Sequence, residues 1–198
     1  MRRGVNRVLV GSFFVLFLAS FGQPASATVL TFEGLTSAQA ESMAFHEGYG
    51  GFVWDESWYL FADTSYSPPG SVSPHYGIVN NFGSDPISIT SATPFDFTGT
   101  YVAQWSFNAP SSIRIVGYDA LNVVVGDTGN VAIGPSYAFV TANFSNVSRV
   151  DFVGGQYFAL DNVTVGESST VVPEPASLLL LGTGLFGTAY RRRRSRRA

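Results

Sequence analysis

SIRIVGYDA, Ser112 to Ala120, is the stretch on which the fold reading turns. Written as an extended chain it puts Ile113, Ile115 and Gly117 on one face, the two-residue alternation of a strand with one buried side. YVAQWSF, Tyr101 to Phe107, has aromatic or small residues at every odd position. Working outward, Val29 to Phe32, Asn122 to Val125, Ala138 to Ala142, Arg149 to Val153 and Tyr157 to Val165 have the same texture. All are short, rich in Val, Ile, Phe and Tyr, and closely punctuated by Gly, Asn, Asp, Ser and Pro. Only Ser37 to Phe45 suits a helical turn or two, and Gly48, Gly50 and Gly51 would end it. Many short strands without βαβ alternation predict an all-β domain, a single jelly-roll-like β-sandwich whose first and last strands pair. No internal repeat is present. Tyr49 to Phe82 is dense in aromatics and also holds Pro68, Pro69, Gly70 and Pro74. It reads as a loop-rich segment crossing one end or face of that sandwich.

Both ends of the chain stand apart from this domain. Arg2, Arg3 and Arg7 form a basic start, Val8 to Phe21 an apolar run, and Ala25-Ser26-Ala27 a small-residue cleavage site. Residues 1–27 are therefore expected to be a secretory signal peptide. Gly4-Val5-Asn6 does not continue a twin-arginine pattern, which favours the general secretory route. The predicted ectodomain, residues 28–170, holds thirteen acids and only two bases, Arg114 and Arg149, for a formal charge of −11. Such a surface repels phosphate backbones, which excludes nucleic acid as a partner, and suits a soluble extracellular protein. The chain has no cysteine, so disulfides, thiolate metal sites and cysteine nucleophiles are all excluded.

The C-terminal stretch, Val171 to Ala198, reads VVPEPASLLLLGTGLFGTAYRRRRSRRA. Pro173-Glu174-Pro175 cannot enter a helix interior or a central strand, so it is read as an extended, accessible segment. The fifteen residues from Ala176 to Tyr190 are uncharged. As a transmembrane helix they span about 22 Å at roughly 1.5 Å per residue, short of the ~30 Å hydrocarbon core. Tyr190 at the interface, snorkelling arginines and local thinning make up the difference for a temporary anchor. Arg191, Arg192, Arg193, Arg194, Arg196 and Arg197 would hold that end on the cytoplasmic side.

A Pro-Glu-Pro triplet, a short apolar helix and a terminal arginine cluster, in that order, resemble the PEP-CTERM sorting signal. The resemblance covers residues 171–198. It implies an exported protein held transiently in the inner membrane of a Gram-negative bacterium and processed there by exosortase, a membrane-embedded transpeptidase. It also implies a setting of exopolysaccharide and biofilm production. A permanent tail anchor, with the triplet as a mere stalk, is the competing reading. A looser resemblance runs through Phe32-Glu33-Gly34-Leu35, Tyr49 to Trp54, Val116-Gly117-Tyr118 and Phe158 to Val163. This skeleton is similar to β-sandwich ectodomains carried by such signals and to jelly-roll carbohydrate-binding modules.

Four kinds of site follow as candidates. Glu33 and Asp161 come together if the first and last strands pair, and their carboxylates, with Asn162, are the oxygen ligands a structural Ca²⁺ takes in modules of that kind. A capping role for Asp161 and a solvated Glu33 is the plainer alternative. Trp54, Trp58, Tyr59 and Trp105 could stack on a sugar ring while Asp55, Glu56 and Gln104 bond its hydroxyls. Against this, large aromatics dominate sandwich interiors. Trp58 and Tyr59, being neighbours on a strand, must face opposite ways. Hydrolysis finds no support, since adjacent Asp55 and Glu56 diverge and neither His46 nor His75 lies near a nucleophile-elbow motif. The protein is therefore expected not to be an enzyme. Asn143, Asn146 and Asn162 each match the N-x-[ST] pattern, which is expected by chance in such a composition. The sequence thus describes an exported surface or matrix protein, structural, adhesive or polysaccharide-binding. A secreted carbohydrate-active enzyme and a permanently anchored envelope protein are the alternatives.

Overall fold

Strands pair first to last, as the alternation predicts. The computed structural model describes residues 26–63, 70–105, 111–155 and 157–167. In chain order its strands are β1 (Ala27–Leu30), β2 (Ala40–Ser42), β3 (Val53–Trp54), β4 (Trp58–Ala62), β5 (Tyr76–Asn80), β6 (Ile87–Gln104), β7 (Ser112–Tyr118), β8 (Val124–Asp127), β9 (Val131–Ala132), β10 (Ala138–Val153) and β11 (Phe158–Glu167). All belong to one antiparallel network in the order β2-β4-β5-β11-β6-β10-β7-β8, with β1 on β11, β3 on β6 and β9 on β7. The register of the first and last strands runs from Ala27 opposite Gly166 to Leu30 opposite Val163.

Two long strands turn this sheet into a sandwich. The later part of β6 pairs with the early part of β10, Val102 opposite Ala138, and its start pairs with the far end, Ile87 opposite Phe152. Between those halves the register slips at Thr141/Phe144, Phe144/Val147 and Val147/Arg149. Each extra residue bends a strand and steepens its twist. Asn143 and Asn146 stand at these slips with φ of 53° and 59°, and Asn162, at a matching slip in β11, has φ of 49°. Left-handed backbone is tolerated by Asn better than by other residues with a Cβ. The three N-x-[ST] matches thus have a backbone role in bending the sheet.

The folded-over layers meet on aromatic side chains. Trp58 of β4 lies edge-on to Phe152 of β10 and Phe158 of β11, at 5.6 and 5.9 Å. Its indole N–H donates to the Ser88 carbonyl of β6 at 2.9 Å. Since β4 and β10 are not neighbours in the sheet, these contacts cross the sandwich. Ile113 and Ile115 of β7 join this core, as their shared face predicts. Gly117 lies beside them because a Cβ there would come within 2.7 Å of the Phe144 ring.

Two expectations need correction. Tyr49 to Phe82 is not a loop draped over the sandwich, because it contributes β3, β4 and β5 to the sheet itself. Ser37 to Phe45 is half strand, because Ala40 to Ser42 finds a partner in Tyr59 to Phe61. Only then does a 3-10 turn, Met43–His46, begin, with the Ser42 hydroxyl accepting from the Ala44 N–H. Among the described residues no helix is long and apolar enough to cross a membrane. Residues 1–25 of the expected signal peptide and the C-terminal anchor, triplet and arginine cluster included, lie outside the described residues, whereas Ala27, the last residue of that expected segment, is the first of β1.

Candidate functional site

Strand β4 shows how one short segment serves two faces. Trp58 and Leu60 point into the sandwich and are fully buried. Tyr59 and Phe61 point the other way, onto the outer face of β4, β5, β11 and β6. Across that face Tyr59 stands opposite Val79, Val79 opposite Ala159, and Ala159 opposite Ala103. These short side chains make a low floor between aromatic walls. Phe61 lies down on it at Gly77, where an added Cβ would meet the ring at 2.8 Å. Trp105 leans on Phe61 with ring centroids 4.3 Å apart, and Tyr137 and Tyr157 pack against the same cluster. Tyr101 and Phe139 meet edge-on at 5.1 Å across β6 and β10. A cavity of about 210 Å³ opens here, lined by Tyr59, Phe61, Val79, Asn81 and Trp105 with Ala40 and Leu60.

Of the four aromatics put forward for sugar stacking, the structure brings together Tyr59 and Trp105. Trp58 is a correction, since it is fully buried in the opposite core and has no face to offer, while Trp54 is mostly buried there and borders a separate cavity. The Trp54 indole N–H donates to the Tyr49 carbonyl at 3.0 Å, and its ring packs edge-on to Phe32 at 5.4 Å. Asp55 is used locally, its Oδ1 accepting from the Ser57 N–H at 2.9 Å. Glu56 lines a different cavity beside Trp54.

Asn81 and Tyr137 near the outer face, and Asp63 at the far end of β4, escape a reading along the chain. Asn81 lines the cavity. Asp63 closes the β4 end, with Oδ2 3.6 Å from the His75 imidazole and Oδ1 buried without a hydrogen-bond partner among the described residues. Tyr137 has its hydroxyl similarly buried, and burial raises its pKa. The signal available for Asn81 and Asp63 was their position bracketing a β4–β5 hairpin, visible only once both strands are recognised.

Glu33 and Asp161 are brought to one place, as the strand pairing predicts, but with other chemistry. Both bind backbone of the segment Val72 to Tyr76. Asp161 Oδ2 accepts from the N–H groups of Val72 and Ser73 at 2.6 and 2.8 Å, and Oδ1 from Asn162 at 2.6 Å. The Ser73 hydroxyl is shared between Asp161 Oδ1 and the Thr31 carbonyl, at 2.9 Å each. Glu33 Oε1 accepts from the Tyr76 N–H at 2.9 Å. Burial raises the pKa of Asp161, and the Ser73, Val72 and Asn162 donors pull against it. Burial likewise raises the Tyr49 phenol, with the Asp161 and Glu33 charges adding to it.

In this structure both Asp161 oxygens accept from N–H and O–H groups of the protein. Asn162 Oδ1 is the one buried oxygen left unpartnered there among the described residues. Among those residues no group of three or more His, Cys, Asp or Glu could hold a metal ion. The pair is a clamp that fastens the Val72–Tyr76 segment to the ends of β1 and β11.

Fold and site together define an antiparallel β-sandwich-like ectodomain with an aromatic outer face. The rest of the chain supplies a second definition. Residues 171–194 match the model of the PEP-CTERM protein-sorting motif, and the chain carries that motif. The motif implies export, anchoring at the membrane before cleavage, and sorting by exosortase. Among solved structures, the chain is similar to a DUF4465 family protein from Bacteroides caccae at 14% identity and a TM-score of 0.47, covering 72% of this chain and 100% of that one. It is similar to the K2 cleaved adhesin domain of Lys-gingipain at 12% identity and 0.48, covering 71% and 99%. The K1 cleaved adhesin domain of Lys-gingipain from Porphyromonas gingivalis follows at 11% and 0.43, covering 73% and 99%. No curated protein matches the chain.

Proposed function

We propose that this is an exported cell-surface or extracellular-matrix protein, held briefly in the inner membrane, released by exosortase, and adhesive through polysaccharide binding on its outer aromatic face. The PEP-CTERM match at residues 171–194 carries the sorting half of this reading. The matched residues follow β11, which ends at Glu167, by only a few positions in the sequence, and Arg191 to Arg194, Arg196 and Arg197 would set the orientation. Tyr59 and Trp105 support the binding half. Their rings border one cavity over a floor of small residues, a surface on which the apolar face of a pyranose can lie. Asn81 stands at its margin to bond hydroxyls. The divergence expected of the adjacent Asp55 and Glu56 favours binding over turnover.

Sorting is tested by the mass of the protein recovered from native cells, alone and as Glu174→Ala. A species starting at Thr28 and lacking the arginine tail, absent in the variant, is expected. An intact tail in the membrane fraction of both strains would instead make the C-terminus a plain anchor. Binding is tested by retention on the producing cells' own exopolysaccharide, with Tyr59→Ala as the comparison. Release of new reducing ends in the same incubation would replace binding with hydrolysis.

A further inference from the structure

The cavity beside Tyr59 and Trp105 measures about 210 Å³. That is below the roughly 300–1,000 Å³ of most small-molecule sites and leaves room for little more than one sugar ring. A chain of sugars seated there has to lie on something beyond it. The turn that follows β5, Asn81–Gly83, starts at the cavity, since Asn81 lines it. Phe82, one residue or about 3.8 Å further along the backbone, is 82% exposed and has left-handed backbone, φ 59°. An aromatic residue is strained there, where Gly or Asn would sit easily, and an exposed ring adds nothing to the core. The turn is pinned from below. Buried Asn80 donates through Nδ2 to the Ser84 and Gly155 carbonyls, each at 3.2 Å, and its Oδ1 accepts from the Phe158 N–H at 2.7 Å. The Asn81 N–H donates to the Ser57 carbonyl at 2.8 Å. Asn81 Oδ1 accepts from the Phe82 N–H at 3.0 Å, which leaves Nδ2 of the same amide for a ligand. A costly conformation, fixed by its surroundings and presenting a ring beside a cavity, is the pattern of a functional position.

Resting on the polysaccharide reading above, we propose that Phe82 is a further stacking platform of the outer-face site, which takes successive units of a neutral polysaccharide, one by Tyr59 and Trp105 and the next on Phe82. Charge sets the class of ligand. No residue lining the cavity is charged, and none from Asn81 to Ser84 is. Asp85, the next along, is engaged by the N–H groups of Gly154 and Gly155 at 3.2 and 3.0 Å. An ectodomain of formal charge −11 repels a polyuronate or a sulfated chain. The uncharged site offers an amino sugar no carboxylate. A neutral pyranose chain suits both facts, with its apolar faces on the rings and its hydroxyls within reach of the Asn81 amide.

The test uses the protein recovered from native cells, with the producing cells' own exopolysaccharide and fragments of it from partial hydrolysis as probes. Phe82→Gly is expected to keep its melting temperature, because glycine suits this φ. It should bind the shortest fragments as the natural protein does and lose about fivefold in affinity for longer ones. Phe82→Tyr keeps a ring and should hold the longer fragments. Retention should survive high salt, as a neutral ligand requires. Unchanged affinity of Phe82→Gly for long fragments, where Tyr59→Ala loses them, overturns the proposal and leaves the cavity alone as the site. Loss of retention in salt means an ionic ligand and overturns the neutral class. No retention of the natural protein, or unchanged retention in Tyr59→Ala, removes the outer-face reading itself and the proposal with it.

Discussion

Trp58 and Tyr59 are adjacent on one strand, and they belong to two different surfaces. The inner face of β4 is filled edge to edge by rings, Trp58 against Phe152 and Phe158, and the indole N–H is satisfied across the sandwich. On the outer face Tyr59 and Trp105 flank a floor of Gly77, Val79, Ala103 and Ala159 and leave a cavity. Ring size is similar on the two sides. The difference is what stands opposite: large side chains from a second layer inside, small ones from the same layer outside. Packing closes the first surface and leaves the second able to take a ligand.

Truncating one ring on each face should break this contrast most visibly. Trp58→Ala is expected to cost about 3–5 kcal/mol in chemical denaturation, because it opens a cavity in a filled core and leaves the Ser88 carbonyl with the Asp55 N–H as its donor. Tyr59→Ala, one residue away, should cost less than about 1 kcal/mol yet lose most polysaccharide retention. Equal destabilisation by both would mean that the outer face is a second core and not a binding surface.

The clamp comes next in size. Asp161→Ala leaves the N–H groups of Val72, Ser73 and Asn162 without their acceptor and should cost about 2–4 kcal/mol, since a buried group left unpaired costs roughly 1–3 kcal/mol and of the three residues Ser73 alone is buried. Faster amide exchange at Val72 and Ser73 would localise the loss. Excess chelator should leave the melting temperature of the natural protein unmoved, and a fall would restore calcium to this site.

The smallest effect belongs to the surface. Asp127 is pulled down to about 2 by the Arg114 guanidinium, with the Gly129 N–H adding to it. A depressed carboxyl supports folding above its unfolded pKa and loses that support as pH falls through the folded value. Its contribution should therefore fade between about pH 4 and pH 2, and Arg114→Ala should move the Asp127 titration upward by NMR with little change in melting temperature.

The strands of the second half were legible where one face is apolar and the other is not. Ser112 to Ala120 alternates cleanly and becomes β7. Trp58 to Ala62 does not alternate in polarity, since Tyr59 and Phe61 are as aromatic as Trp58, so β4 looks like an aromatic-rich loop until β5 pairs with it. The first half of β6 was hidden in another way. Ser91 to Pro94 interrupts the alternation that Ile87 and Ile89 begin, and the bulges that let one strand serve both layers leave no polar-apolar signature. Of the site, the meeting of Glu33 with Asp161 followed from first-to-last pairing. Their partners did not, because nothing near either residue points to Val72 or Ser73, which lie 89 and 88 positions from Asp161 along the chain.

What the sequence by itself determined is whatever depends on contiguous residues: the all-β class, the acidic cysteine-free surface, and the sorting motif at residues 171–194, a pattern that holds at whatever place the cargo occupies. What only the tertiary structure decided is which ring is buried and which is offered. Tyr59 and Trp105 lie far apart in the chain and become neighbours through the ladder from β4 to β6, while Trp54 and Trp58 are withdrawn by layers that the same ladder folds over them. The physical reason is that a side chain's exposure is set by what packs against it, and in this sandwich those neighbours come from strands remote in sequence.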